Sequence, residues 1–203
     1  MGSVVLVDSG GTNIGSVSYA LGRLGVEATL TTDPSVIRAA SHVVLPGVGA
    51  AAPAMEKLRE LGLVEVIRGL RQPVLGVCLG MQLLCEHSAE GDTACLGVIP
   101  GRVVRLAPSP HLRVPHMGWN TLDLVRSHRP HRPHPVLARI AGGEAVYFVH
   151  GYALPVQGET LAATTHGGSF SAIVARDNFV GMQFHPERSA AVGARLLESF
   201  LAS

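Results

Sequence analysis

Pro73-Val74-Leu75-Gly76-Val77-Cys78-Leu79-Gly80-Met81-Gln82-Leu83-Leu84-Cys85-Glu86 is the stretch on which the reading of this chain turns. Its first five residues form a short apolar run opened by proline, the pattern of a buried strand. Leu79 to Glu86 reads as a helix. Gly76 and Gly80 stand two residues either side of Cys78, so a strand turns sharply into a helix around a thiol. This is the nucleophile-elbow pattern with cysteine in place of serine. The elbow residue is strained, and only neighbours without side chains let the chain pass so closely. The turn sets Cys78 at a helix N-terminus, whose positive end suits an anionic sulfur. Backbone N–H groups there, beginning with Leu79, point at an oxyanion formed on attack. The competing reading makes Cys78 a small core residue, since free cysteine is among the most buried types.

Upstream of the elbow, strand and helix patterns alternate. Val4 to Asp8 is a buried strand ending in the Gly-rich turn Ser9-Gly10-Gly11-Thr12-Asn13, and Ile14 to Leu24 is an amphipathic helix closed by Gly25. Val26 to Thr31 is a second strand, Pro34 to Ala40 a short helix, and His42 to Leu45 a third strand running into Pro46-Gly47-Val48-Gly49. Ala51 to Leu70 carries one or two helices interrupted near Gly62. The expected class is α/β, a mostly parallel sheet with helices on both faces. Sites in such sheets gather at the carboxyl ends of strands, where both Cys78 and Pro46 to Gly49 fall.

The second half is rich in short strands: Gly101 to Leu106, Ala145 to Val149, Thr160 to Thr165, Ala172 to Ala175 and Val180 to Phe184, with a closing helix from Ser189 to Leu201. Ala107 to Pro135 holds six prolines and reads as loop. Within it, Arg126 to Pro135 spaces three histidines three apart, but the prolines impose extended structure and the arginines repel cations, so a solvated loop is expected there rather than a metal site.

The 203 residues read as one domain spanning 1–203. Charged residues are 15%, well below the roughly 25% of ordinary soluble domains, and mean hydropathy is +0.31. Part of the surface is thus expected to meet a partner. A net charge of +1 gives no support to nucleic acid or a membrane surface as that partner. Three cysteines argue against a disulfide framework, and Cys85 and Cys95 read as core or surface thiols. Cys78 and Cys85, seven apart on the expected helix, suit no common zinc motif. The N-terminus lacks the basic region of a secretory signal, and no apolar run approaches the ~18 residues of a spanning helix, so a reducing cytoplasm is expected.

A thiol nucleophile needs a base, and the base needs a group that fixes its tautomer. Phe184-His185-Pro186-Glu187 offers both at a strand end, with proline stiffening the turn between them. Acid following base separates this order from that of α/β-hydrolases, where the acid precedes the histidine. Pro46-Gly47-Val48-Gly49, at the end of the neighbouring strand, is flexible enough to turn an N–H into the oxyanion site.

Gly76 to Gln82 together with Phe184 to Glu187 resembles the class I, triad-type glutamine amidotransferases, of flavodoxin-like fold. Pro115-His116-Met117-Gly118-Trp119-Asn120, Tyr147-Phe148-Val149-His150, Asn13 in its turn and Arg188-Ser189 narrow the resemblance to the glutaminase subunits of imidazole glycerol phosphate synthase. It spans essentially the whole chain. The resemblance implies hydrolysis of L-glutamine through a thioester on Cys78, with His185 as base then acid and Glu187 orienting it. It implies oxyanion donors at Gly47, Val48, Gly49 and Leu79, and a substrate pocket of Gln82, His150, Gly151 and Tyr152. No cofactor or metal is implied. The implied partner is a cyclase subunit, a β/α barrel that receives the ammonia, and Asn13, Trp119, Asn120, Tyr147 and Arg188 are candidates for that face. Two positions depart from the family: Ser9-Gly10-Gly11 stands where Tyr is frequent, and Gly151 where Ser or Thr is usual. Three alternatives stay open: a glutaminase serving another synthase such as that of pyridoxal phosphate, an inactive binding module, and a thiol peptidase of related fold.

Overall fold

A computed structural model describes residues 2–10, 14–109, 112–125 and 134–203. Strands β1 (Val4–Val7), β2 (Ala28–Thr31), β3 (His42–Leu45) and β4 (Val74–Val77) alternate with helices α1 (Ile14–Arg23), α2 (Pro34–Ala39), α3 (Ala51–Glu60) and α4 (Leu63–Arg68). Helix α5 (Leu79–Leu84) follows, then β5 (Cys85–Ser88), β6 (Thr93–Ala94), β7 (Ile99–Arg105), β8 (His116–Thr121), β9 (Asp123–Leu124) and β10 (Ala145–His150). The chain closes with β11 (Tyr152–Ala153), β12 (Thr160–Thr165), β13 (Ser169–Arg176), β14 (Phe179–Met182) and α6 (Ala190–Leu201).

The main sheet has the order β2-β1-β3-β4-β14-β13-β12-β9. Its pairs are parallel from β2 through β14 and antiparallel from there to β9. All four residues of β1 and of β4 are buried, as strands covered on both faces must be. Alternate side chains divide the core: Val4 and Leu6 pack with α1 and α6 residues such as Leu21 and Phe200. Val5 and Val7 pack on the other face with Ile37, Leu58 and Leu83.

Local chemistry sets the helix ends. Asp33 caps α2 by accepting from Ser35 N at 2.7 Å, with Pro34 at the first helical position. Gly62, at φ +65°, separates α3 from α4 at the interruption expected there. Among the described residues, no helix is long and apolar enough to cross a membrane.

Two expectations are corrected. The helix after the elbow stops at Leu84, and Cys85 and Glu86 belong to β5, which pairs in parallel with β7 through Cys85 and Ile99. Cys78 and Cys85 therefore do not share a helix; a long-range ladder supplies hydrogen bonds that local helix propensity could not foresee. The span read as loop from Ala107 to Pro135 contains β8, paired antiparallel with β10 over six residues, and β9 on the sheet edge. Proline density hid a strand whose partner lies some thirty residues away. Of the Arg126 to Pro135 stretch, 126–133 lie outside the described residues; Pro135 opens a 3₁₀ turn, Pro135–Leu137.

Candidate active site

Cys78 stands between β4 and α5 with φ +52° and ψ −108°, a conformation few residues other than glycine adopt. Its N–H donates to Met182 O at 2.7 Å and its carbonyl accepts from Gln82 N at 3.2 Å, so the strain is held by β14 on one side and α5 on the other. The glycines act by close approach. A Cβ on Gly80 would lie 1.8 Å from Leu45 O, and one on Gly47 would lie 2.3 Å from Gly80 N. Bare backbone thus brings the Gly47 loop against the first turn of α5. Gly49, exposed and at φ +105°, ends that loop.

Beyond β14 the chain delivers His185 to the same place. His185 N donates to Tyr147 O at 2.9 Å, and Ser189 Oγ ties His185 O at 2.7 Å to Tyr147 N at 2.9 Å, which locks the turn to β10. His185 Nδ1 meets Glu187 Oε1 at 2.8 Å, with the carboxylate buried. Burial alone pushes His185 down, but hydrogen bonds with Cys78 and Glu187 and the charges of both outweigh it and carry the imidazole up to about 10. The protonated form of His185 is therefore favoured.

Cys78, His185, Leu79 and Gln82 open onto a cavity of about 210 Å³, with Gly47, Val48 and Gly49 along one wall and His150, Gly151 and Tyr152 along another. The Cys78 thiol reaches Val149 O at 3.7 Å. The Gln82 side chain is turned inward, donating to Tyr152 O and Gln183 Oε1, both at 3.0 Å. Two residues not singled out in the sequence are here. Glu90 lines the cavity, its Oε2 accepting from Ala51 N at 2.9 Å; it sits in a polar turn that looks like ordinary surface. Gln183 is fully buried with its Nε2 3.7 Å from Cys78 Sγ, and its one signal was an amide inside an apolar strand end.

Among the described residues, no group of His, Cys, Asp and Glu is arranged to hold a metal ion. Cys85 and Cys95 are buried thiols. Trp119 and Tyr147 are cross-strand partners with rings edge to face at 5.8 Å, and Arg188 lies 4.7 Å over the Tyr147 ring. Trp119 is 55% and Met117 65% exposed, an apolar row on the outer face of β8. Asn120 points the other way, to His116 and Thr165 O. Asn13 lies outside the described residues.

A strained cysteine at a strand–helix elbow and a histidine on one small pocket, with a buried glutamate behind the histidine, are the groups a thiol amidohydrolase needs, set on a mostly parallel α/β sheet. The profile of the family "Glutamine amidotransferase class-I" matches residues 5–203, and the chain belongs to that family. It is 53% identical over 201 residues, covering 99% of this chain and 98% of theirs, to proteins named imidazole glycerol phosphate synthase subunit HisH from Xylella fastidiosa and Xanthomonas axonopodis pv. citri. Among solved structures, a glutamine amidotransferase superposes with TM-score 0.73 at 21% identity, covering 99% of this chain and 98% of that one. PurLQS from Thermotoga maritima superposes with TM-score 0.69 at 19% identity, covering 100% and 99%. At such identities these structures speak for the fold alone.

Proposed function

We propose that this chain is the glutaminase subunit of an imidazole glycerol phosphate synthase, releasing ammonia from L-glutamine for a cyclase subunit that makes imidazole glycerol phosphate and aminoimidazole carboxamide ribotide in histidine biosynthesis. The observation that carries the reading is that Cys78 and His185 line one pocket, with Glu187 paired behind His185, in a chain so similar to the HisH subunits. The cyclase, a β/α barrel, covers the Trp119, Tyr147 and Arg188 row.

The sulfur of Cys78, its proton passed to His185, attacks the amide carbon of glutamine. The carbonyl oxygen takes up the negative charge and is met by backbone N–H groups of Leu79 and of the Gly47 to Gly49 loop, each such donor contributing about 3 kcal/mol to the barrier reduction. Collapse breaks the C–N bond as His185 gives its proton to the nitrogen, and ammonia leaves. The resulting γ-glutamyl thioester is attacked by water, whose proton His185 takes; the second collapse breaks the C–S bond and frees glutamate. Glu187 holds the His185 tautomer and balances the imidazolium. Glu90 pairs with the α-ammonium of glutamine, and Gln82 fixes the Tyr152 wall. Gly151 offers only backbone where a hydroxyl would otherwise stand.

Glutamine hydrolysis by the chain alone, then with the cyclase and its nucleotide substrate, tests the reading. Strong stimulation in the complex is expected. Robust activity alone with no stimulation would mean a different acceptor. Cys78→Ala should abolish glutamine-dependent synthesis by the complex yet spare the ammonia-dependent reaction; loss of neither would remove Cys78 as nucleophile.

A further inference from the structure

Gln183 is an uncharged, fully buried side chain whose nitrogen lies 3.7 Å from Cys78 Sγ, within reach for a large sulfur acceptor. Which end of an amide faces the sulfur decides whether it donates or accepts, and one backbone carbonyl settles that here. Tyr152 O can only accept. Gln82 Nε2 lies 3.0 Å from it and His150 Nδ1 2.8 Å, so both donate to it. Gln82, oriented in this way, spends its other N–H on Gln183 Oε1 at 3.0 Å, and Gln183 is left presenting its NH₂ to the sulfur.

The other arm of the network is directed too. Burial holds His150 neutral, down to about 3, so with its proton on Nδ1 its Nε2 accepts from His116 Nδ1 at 3.1 Å. Burial likewise holds His116 down to about 4, and its Nε2 accepts from Asn120 Nδ2 at 3.3 Å. Asn120 cannot turn over without losing Thr165 O at 3.0 Å and Thr121 N at 2.9 Å. Every link from Asn120 to the sulfur thus has one allowed direction. A thiol can donate to Val149 O, but a sulfur that has lost its proton needs donors, and in a buried site one charge-assisted donor counts for more than at a surface.

We propose that Gln183 is a further catalytic residue, whose side-chain N–H donates to the Cys78 sulfur and stabilises its negative charge, with Gln82, fixed by Tyr152 O, as the positioning residue that holds the amide in the donating orientation. The proposal rests on Cys78 being the nucleophile. The titratable groups facing the sulfur are His185 with Glu187 behind it, His150 from β10, and Glu90 and Tyr152 across the cavity. Gln183 titrates at no pH, so a change in a pH profile on replacing it is not its own ionisation.

The test is the pH profile of iodoacetamide alkylation of the full chain, less the profile of Cys78→Ala, which removes any label on Cys85 and Cys95. In Gln183→Met the pH of half-maximal alkylation should move up by roughly one unit, the size of one hydrogen bond to a charged group. A folded Gln183→Met whose profile coincides with the parent overturns the proposal. The unsubstituted chain gives a second reading that needs no variant to fold: in NMR spectra the Gln183 side-chain amide protons should shift through the alkylation midpoint, and amide protons unmoved across it overturn the proposal. A Cys78→Ala protein that keeps glutaminase activity removes the nucleophile itself, whereas a reactive Cys78 indifferent to Gln183 removes only the donor.

Discussion

A carboxylate behind an imidazole acts by fixing which nitrogen carries the proton, and the 2.8 Å contact of Glu187 Oε1 with His185 Nδ1 leaves the other nitrogen for Cys78. That Cys78, His185 and Glu187 would come together was legible in the sequence because each carries a local mark: glycines around the thiol, proline inside the histidine–glutamate turn. Glu90 left no such mark. Its nearness to the cavity follows from how β5 and β7 carry the turn to the start of α3, where it accepts from Ala51 N. Its charge can be tested apart from that contact, because a glutamine oxygen at the same place still accepts from Ala51 N. In Glu90→Gln, KM for glutamine should rise about tenfold with kcat close to the parent, the loss of one charge-assisted contact to the α-ammonium. Steady-state kinetics at saturating cyclase would measure it, and an unchanged KM would remove Glu90 from the substrate site.

At the scale of elements, the site depends on backbones packed too closely for a side chain. Helix α6 meets the turn bearing Glu187 at Gly193, where a Cβ would stand 1.9 Å from Pro186 O. A Cβ is fixed by its own backbone and Pro186 O is backbone, so no rotamer relieves the clash. Gly193→Ala should cost about 1–3 kcal/mol of stability through overpacking and, by displacing the Pro186–Arg188 turn, lower kcat about tenfold with KM little changed, although Gly193 touches no substrate. Urea unfolding and steady-state kinetics on the same sample would separate the two effects; a destabilised protein with parental kcat would show that the turn tolerates the shift. The elements easiest to read in the sequence were those of the first half, where β1, β3 and β4 are short apolar runs and α2 carries its own cap at Asp33. β5, β6, β8, β9 and β11 escaped because they are short, polar or proline-flanked, and are stable only through partners distant in the chain.

The molecule as a whole should have a stability maximum near the ordinary histidine value of 6.5. Below it the unfolded chain takes up protons that buried His116 and His150 refuse until about 4 and about 3, so stability falls as the pH drops. Above it the folded chain keeps the His185 proton until about 10 while the unfolded chain releases it, so the contribution present below 6.5 is lost as the pH rises. Denaturant midpoints across this range should trace both slopes, the alkaline one shallower in Cys78→Ala; a flat acid side would mean the two imidazoles are not held neutral by folding. The Trp119 side chain is exposed and does not line the cavity, so Trp119→Ala should keep the basal glutaminase rate and lose most of the stimulation by the cyclase. A variant stimulated as fully as the parent would move the partner face elsewhere.

By itself the sequence determined the α/β alternation, the elbow and the three residues proposed to react, because each is written in residues near one another: apolar runs, a capping residue, glycines where a Cβ would collide. Only the tertiary structure decided that Gln183, Gln82, Tyr152, His150, His116 and Asn120 form one hydrogen-bonded network, with Asn120, His116 and His150 directed to Tyr152 O and Gln82 and Gln183 directed to the sulfur. These residues are spread over four separate stretches of sequence, and the directions of their bonds are set by Tyr152 O at the centre and by Thr165 O and Thr121 N at the Asn120 end. No local pattern encodes it, because the orientation of an amide or an imidazole is chosen by what folding places on its other side.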